Sequence, residues 1–499
     1  MEIQFHKTAI PCLRRVICQV QTQEQTQEVR LPEGMPDIGR ILGCWGQVLI
    51  RSKEWRSGEM AVSGGVMARV LYAPEDGTQP GTLETWIPFQ MKWDFPETQR
   101  DGFVIVAPSL KGMDARSVSA RKLMVRANIS VLGQAMEPVE PELWAPGNVP
   151  EDVQILTRSY PVELPRECGE KLFSLDEEIV LPGNLPPVER MLRCELLPQV
   201  TEQKVLAGRL LFRGKALLHL LYSGVEGAIH NWDMEIPYSQ FAELDRDYSG
   251  NATGWILPVV TALEIAPDEQ QRLQLKSSIA AQYTIFDRVM VEAAEDAYSP
   301  NRKVQITSQE LMLPMRLDRR QETLQCSQSV EAQAQRILDI CWLYDHAARR
   351  QNGDSAHLTV PGQFQILYQD TDGNLQTATV RQEESAKLNA DPGSFIQSYL
   401  SPGGFPQGQI TPQTMELMVE PMLDISVFSE QGLPMLTGLE LGEAEEPDAG
   451  RPSLILRRAG EKRLWDIAKE CGSTVDAIRK ANKLQEEPEF GQMLLIPVS

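Results

Sequence analysis

No apolar run in this 499-residue sequence approaches the roughly 20 residues that a bilayer-spanning helix needs, so no transmembrane segment is expected. The first thirty residues, MEIQFHKTAIPCLRRVICQVQTQEQTQEVR, also lack the continuous apolar core of a secretory signal. Together these absences lead to the expectation of a cytoplasmic protein. The eight cysteines (Cys12, Cys18, Cys44, Cys168, Cys194, Cys326, Cys341 and Cys471) include no CxxC pair. In a reducing compartment scattered thiols of this kind act as small buried apolar side chains, not as a disulfide framework. The five histidines (His6, His219, His230, His346 and His357) never fall at HExxH or HxH spacing, so no metal is expected. His219 is read as an ordinary surface histidine or one satisfied by its neighbours. GxSxG, Walker and GxGxxG patterns are missing too. With neither nucleophile nor phosphate loop marked by its setting, the reading is a non-enzymatic protein without a cofactor.

Basic residues are in deficit: 48 against 69 acidic ones, a net charge of −21. A surface of that sign repels polyanions, which argues against nucleic acid and anionic membranes as partners. The deficit is uneven. Residues 453–499 carry eight basic and seven acidic side chains, so this segment is +1 and the remainder is −22.

What the sequence has in abundance is period-two patterning, repeated along the chain. Val62, Gly64, Val66, Ala68, Val70 and Tyr72 fall on one face of a strand. Phe212, Gly214, Ala216, Leu218, Leu220 and Tyr222 repeat the pattern, as do Leu358, Val360, Gly362, Phe364, Ile366 and Tyr368. One face of each strand should pack on a core while the other meets solvent or a partner. Leu31-Pro32, Leu181-Pro182 and Leu313-Pro314 open the three segments, and a cysteine stands thirteen residues after each leucine, at Cys44, Cys194 and Cys326. From leucine to tyrosine is 41 residues in the first two segments and 55 in the third. On this frame the third copy holds an insertion after Cys326, placed at Ile337 to Asp354. The fold class expected is mainly β: three repeated β-rich modules, each a sandwich or partly closed barrel. Acidic or proline-rich stretches, Glu137 to Pro150, Glu292 to Lys303 and Leu439 to Pro452, are read as the joins.

The period changes after Pro452. Leu454 to Leu456 suits a short strand, and Leu464, Ile467, Ala468 and Cys471 form the apolar stripe of a helix that Gly472 ends. Thr474 caps a second helix with Asp476 in its first turn, and Met493 to Ile496 makes the last strand. The order is βααβ. Trp465, beside the buried Leu464, either anchors a partner or seals the small core. Ile455 has the same two readings. Arg457, Arg458, Lys462 and Arg463 form a locally basic patch that either steers an acidic partner or is a solvated face.

Gly460, the run Leu464-Trp465-Asp466-Ile467-Ala468, Val475, Ile478, Asn482, Gly491-Gln492 and Leu495-Ile496-Pro497 together resemble a LysM domain. Such domains usually bind N-acetylglucosamine polymers in a groove between the first loop–helix junction and the second helix–strand loop. Here Gly460-Glu461-Lys462-Arg463 stands where the family generally has Gly-Asp-Thr, one residue longer and lacking the threonine cap. The segment Gln21 to Val48, the repeats and the terminal LysM are similar to the clostridial spore-coat morphogenesis family of SipL and its SPOCS-domain relatives. The layout this implies is an N-terminal extension over 1–30, SPOCS-like repeats over 31–150, 170–295 and 308–435, an acidic linker over 436–452 and a LysM domain over 453–498. It also implies a scaffold or adaptor in spore-coat assembly, working in the mother-cell cytoplasm at the forespore surface. Its LysM domain would recruit the coat basement-layer ATPase, stage IV sporulation protein A, through Ile455, Gly460, Leu464, Trp465 and Asn482. Other coat proteins are possible further partners. The alternative reading is a LysM protein that binds peptidoglycan of the spore cortex.

Overall fold

The computed structural model describes all residues except 57, 78, 97–100, 249, 268–271, 353–354, 391–393, 430, 445–451 and 499. Among the described residues the chain is mainly β, with two helices, both near its C-terminal end. Alternation is the cause. In the strand Lys122–Val139, Leu123, Val125, Ala127, Ile129 and Val131 have no exposure at all, while the residues between them face the other side.

The antiparallel pairings fall in three successive stretches. In the first, Phe5–Ala9 and Cys12–Arg30 pair with Glu142–Pro146 and Lys122–Val139, and the last of these also pairs with Phe103–Ser119. Between them Ile38–Arg56, Glu59–Pro74 and Gly81–Asp94 form a meander. In the second, Gln154–Ile179 pairs with Leu273–Tyr298, which pairs with Thr253–Pro267, and Val188–Gly224 pairs with Ile229–Tyr248. In the third, Arg302–Leu311, Arg316–Thr323 and Cys326–Glu331 pair with Leu433–Ala444, Met422–Ser429 and Thr414–Val419. Its meander joins Ala334–Tyr344 and Ala348–Asn352 to Ser355–Asp370, and that strand to Leu375–Leu388. Meander and outer sheet bury a common core: Val62, Val66 and Val70 share a cluster with Leu123, Val125 and Ile129. This is sandwich packing.

Strand register corrects the frame read for the third stretch. Ile337 pairs with Tyr368 as Ile41 pairs with Tyr72. Ala332 N–H donates to Gln413 as Leu31 N–H donates to Arg121. Ala332 thus follows the outer strands as Leu31 does, and Leu313-Pro314 lies between the outer strands Arg302–Leu311 and Arg316–Thr323, ahead of that position. Residues 337–352 are no insertion; they are one arm of a hairpin whose other arm is Ser355–Asp370, and 353–354 lie outside the described residues. A Leu-Pro pair and a cysteine give only two points of agreement, whereas a ladder fixes every residue along it.

The stretches read as joins are largely strand. Glu142–Pro146 pairs with Phe5–Ala9, residues 292–298 continue Leu273–Tyr298, and residues 439–444 continue Leu433–Ala444. Their acidic residues alternate with buried apolar ones: Leu439 and Leu441 flank the exposed Glu440. Of the acidic segment, residues 445–451 lie outside the described residues.

All three stretches touch one another. Leu13, Leu132 and Met136 from the first, Cys168, Trp255 and Phe286 from the second, and Tyr399 and Phe428 from the third form one buried cluster. The N-terminus closes on the far end of the body, Ile3 N–H donating to Leu439 O at 2.9 Å.

The C-terminal module follows its pattern. Leu454–Arg458 pairs antiparallel with Met493–Pro497. Helix α1 (Leu464–Cys471) ends at Gly472, whose φ of 62° is the left-handed conformation that glycine adopts without strain. Helix α2 (Val475–Asn482) is capped by Thr474, whose Oγ1 accepts from Ala477 N–H at 3.1 Å.

Candidate partner-binding site

The five residues singled out in the C-terminal module have very different settings. Leu464 is fully buried in the module's own core with Ile467, Ala468, Ile478, Leu494 and Ile496. Ile455 is half-buried against that core. Asn482 is committed internally. Its Nδ2 donates to Ile478 O (2.8 Å) and Leu495 O (2.7 Å), and its Oδ1 accepts from Leu495 N–H (2.8 Å). It thus ties the end of α2 to the last strand. Gly460 is exposed, and a side chain there would meet open space.

Trp465 is 8 % exposed, and what covers it is the second β stretch. Its Nε1 donates to Asp296 Oδ2 at 2.8 Å, and its ring meets Tyr298 edge-on with centroids 4.8 Å apart. Lys469, one turn further along α1, pairs with the same carboxylate at 2.7 Å. Tyr298 Oη donates to Ser473 O at 2.9 Å. Asp296 and Tyr298 were not visible as site residues in the sequence. The one available signal was the acidic pair Glu295-Asp296 interrupting an alternating strand.

The two loops that would flank a glycan groove are bridged. Arg463 occupies the N-cap of α1 without a side-chain cap. The Glu487 carboxylate, from the loop after α2, takes the Leu464 N–H at 2.7 Å instead. A carboxylate at this helix N-terminus satisfies an orphan donor and meets the positive end of the dipole. Ala459 and the turn at Gly491-Gln492 exchange two further backbone bonds, of 2.7 and 2.8 Å. The basic patch is mostly neutralised within the module: Arg457 and Lys462 pair with Glu470, and Arg463 with Asp466.

Elsewhere the titratable clusters hold the β stretches together. Arg193 Nη1 donates to both oxygens of Asp339 (3.0 and 2.8 Å), with both side chains almost without exposure. His219 lies between Asp233 (2.6 Å) and Asp339 (2.9 Å). Burial alone would lower the His219 pKa; the Asp339 charge and the bonds to both carboxylates overcome it and raise it to about 9. Burial opposes ionisation of Asp339, and Arg193 and His219 overturn that, holding it below the ordinary carboxylate range. His346 has the opposite fate. Burial pushes it down to about 4, and the neutral ring accepts Leu132 N–H at 3.1 Å across the first and third stretches. Arg193, Asp339, His219 and His346 are all buried. Among the described residues no group of three or more His, Cys, Asp or Glu side chains could hold a metal ion.

The chain is thus a multi-stretch β protein that ends in a small βααβ module. Residues 187–253 match the family described as SipL, SPOCS domain, and residues 463–497 match the LysM domain. Both matches, in this order, agree with the resemblance to the SipL family. No curated protein and no solved structure matches the chain. No helix among the described residues is long and apolar enough to cross a membrane.

Proposed function

We propose that this protein is a non-enzymatic adaptor in spore-coat assembly, whose three β stretches are copies of the SPOCS domain and whose LysM domain grips a protein. Coat association is what the SPOCS and LysM matches support. The partner proposed is the coat basement-layer ATPase, stage IV sporulation protein A, held at the forespore surface in the mother-cell cytoplasm. The observation that carries a protein partner over a glycan is the Glu487–Leu464 bridge. It ties together the two loops between which LysM domains usually hold a glycan. Ile455, Gly460 and Trp465 are the proposed contacts, with Leu464 and Asn482 holding their frame. A large aromatic contributes most at such a contact once it is desolvated by the partner.

The test is capture of the purified ATPase by the full chain and by a chain ending at Ala444, where the last body strand finishes. Loss of capture on truncation supports the proposal; unchanged capture refutes it. The LysM match itself favours a second reading, binding to peptidoglycan. Sedimentation of the full chain, but not the truncated one, with purified peptidoglycan would establish that reading.

A further inference from the structure

The indole proposed as a partner contact is already occupied. The strand Leu273–Tyr298 bulges where its register against Gln154–Ile179 slips: Ala294 pairs with Thr157 and Asp296 with Leu156, leaving Glu295 unpaired. A bulge re-aims the side chains on either side of it. Glu295 is turned back onto its own sheet, where Tyr160 hydroxyl and Arg158 meet it. Asp296 faces the LysM domain and receives both Trp465 Nε1 and the Lys469 ammonium.

We infer that this bulge, Asp296 with Tyr298, is a docking site for the chain's own LysM domain, and that docking withholds Trp465 from other partners. The last clause rests on the adaptor reading; the docking itself does not. Two features mark the contact as separable. First, the LysM core is built almost entirely from the module's own side chains. Leu464, Ile467, Ala468, Ile478, Leu494 and Ile496 are at most 1 % exposed, and all belong to the module. Among the described residues Tyr298 is the one buried body residue in that cluster, with Leu156 partly buried beside it. Second, the junction is polar and incompletely satisfied. It consists of an indole bond, an ion pair and a tyrosine bond to the Ser473 carbonyl. The Ser473 hydroxyl is buried there with no hydrogen-bond partner. Small polar contacts between domains of one chain resemble transient interfaces more than cores. One ring cannot fill two sites, so body and partner compete for Trp465.

The experiment uses the full chain with all tryptophans replaced by 5-fluorotryptophan, read by fluorine NMR with a soluble paramagnetic relaxation agent. Trp465→Phe identifies the resonance. In the wild type the Trp465 line should be protected from the agent. Asp296→Lys sets two cations against each other, and Lys469→Glu sets two anions, so each single variant should expose the line. The double variant Asp296→Lys/Lys469→Glu restores the ion pair, though not the indole bond, and should return part of the protection. That return shows that the single variants opened the contact without unfolding the protein. A Trp465 line as accessible in the wild type as in the single variants overturns the docking. The coat ATPase is then titrated against the same four proteins. If the open form is roughly a tenth of the wild-type population, the single variants should bind about tenfold more tightly. Tighter binding supports competition, and weaker binding by the opened variants overturns it. No binding by any of the four, with the line still protected, defeats the proposed partner and leaves the docking standing.

Discussion

Replacing Arg193 by Met should destabilise the body by about 3–5 kcal/mol, the cost of leaving a buried carboxylate without its cation. Arg193 makes two bonds to Asp339 and a third to Ile340 O at 3.2 Å. Asp339 is 1 % exposed, so water cannot substitute for the lost guanidinium. His219 stays beside the carboxylate and softens the loss, which places the expected value near the lower end. The pair joins the second stretch to the third, so the damage should appear as weakened contact between stretches, before loss of strand content. The assay is urea unfolding followed by tryptophan fluorescence and far-ultraviolet circular dichroism together. In the variant the fluorescence transition should move to lower urea ahead of the dichroism transition. Arg193→Met/Asp339→Leu removes both charges and should recover most of the loss, since an apolar pair of similar size is often as stable as a buried ion pair. A loss below about 1 kcal/mol in the single variant, the scale of an exposed salt bridge, or no recovery in the double, would refute the reasoning.

The two buried histidines should give the body a stability maximum near pH 6.5. His219, raised to about 9, contributes fully below its unfolded pKa of about 6.5, and that contribution, about 3 kcal/mol, fades as pH rises toward 9. His346, lowered to about 4, costs a similar amount as pH falls from about 6.5 toward 4, because only the unfolded chain takes the proton. Urea midpoints measured across pH should flatten on the alkaline side in His219→Gln and on the acid side in His346→Gln. Asn482→Ala should destabilise the LysM module by about 1–3 kcal/mol, leaving the Leu495 backbone groups unpaired. Faster amide hydrogen exchange confined to residues 493–497 would register it. Six thiols, Cys12, Cys18, Cys168, Cys194, Cys326 and Cys341, should resist alkylation at pH 8 until urea is added. Burial raises Cys12 and Cys18 to about 11 and Cys168, Cys194, Cys326 and Cys341 to about 12. Only the thiolate reacts. Rapid labelling of several thiols in the native state would contradict the burial described.

The sequence carried the strands well, because a core on one face forces alternation: Leu123 to Val131 and Val62 to Tyr72 are buried as their spacing requires. It carried the LysM helices for the same reason, through Thr474, Gly472 and the stripe from Leu464 to Cys471. Frame was less legible. Leu313-Pro314 and Cys326 imitated the spacing of the first two stretches, and only pairing across the sheet shows that Ile337 matches Ile41. Charge also misled, since Glu292, Glu440 and Glu443 suggested joins while the residues between them were being buried. The surroundings of Trp465 depend on Asp296, 169 positions away, and no local pattern reports a contact of that range. His219 was read as ordinary or satisfied; its Nδ1 is bonded to Asp233, and its Nε2 lies 2.9 Å from the buried Asp339 carboxylate.

Equilibrium titration of the coat ATPase with the full chain and with the chain ending at Ala444 tests the central claim most directly. A dissociation constant at least about a hundredfold weaker for the shorter chain, a difference of about 2.8 kcal/mol, is the result predicted for a LysM domain that does the gripping. Equal constants would assign the grip to the β body and contradict the account.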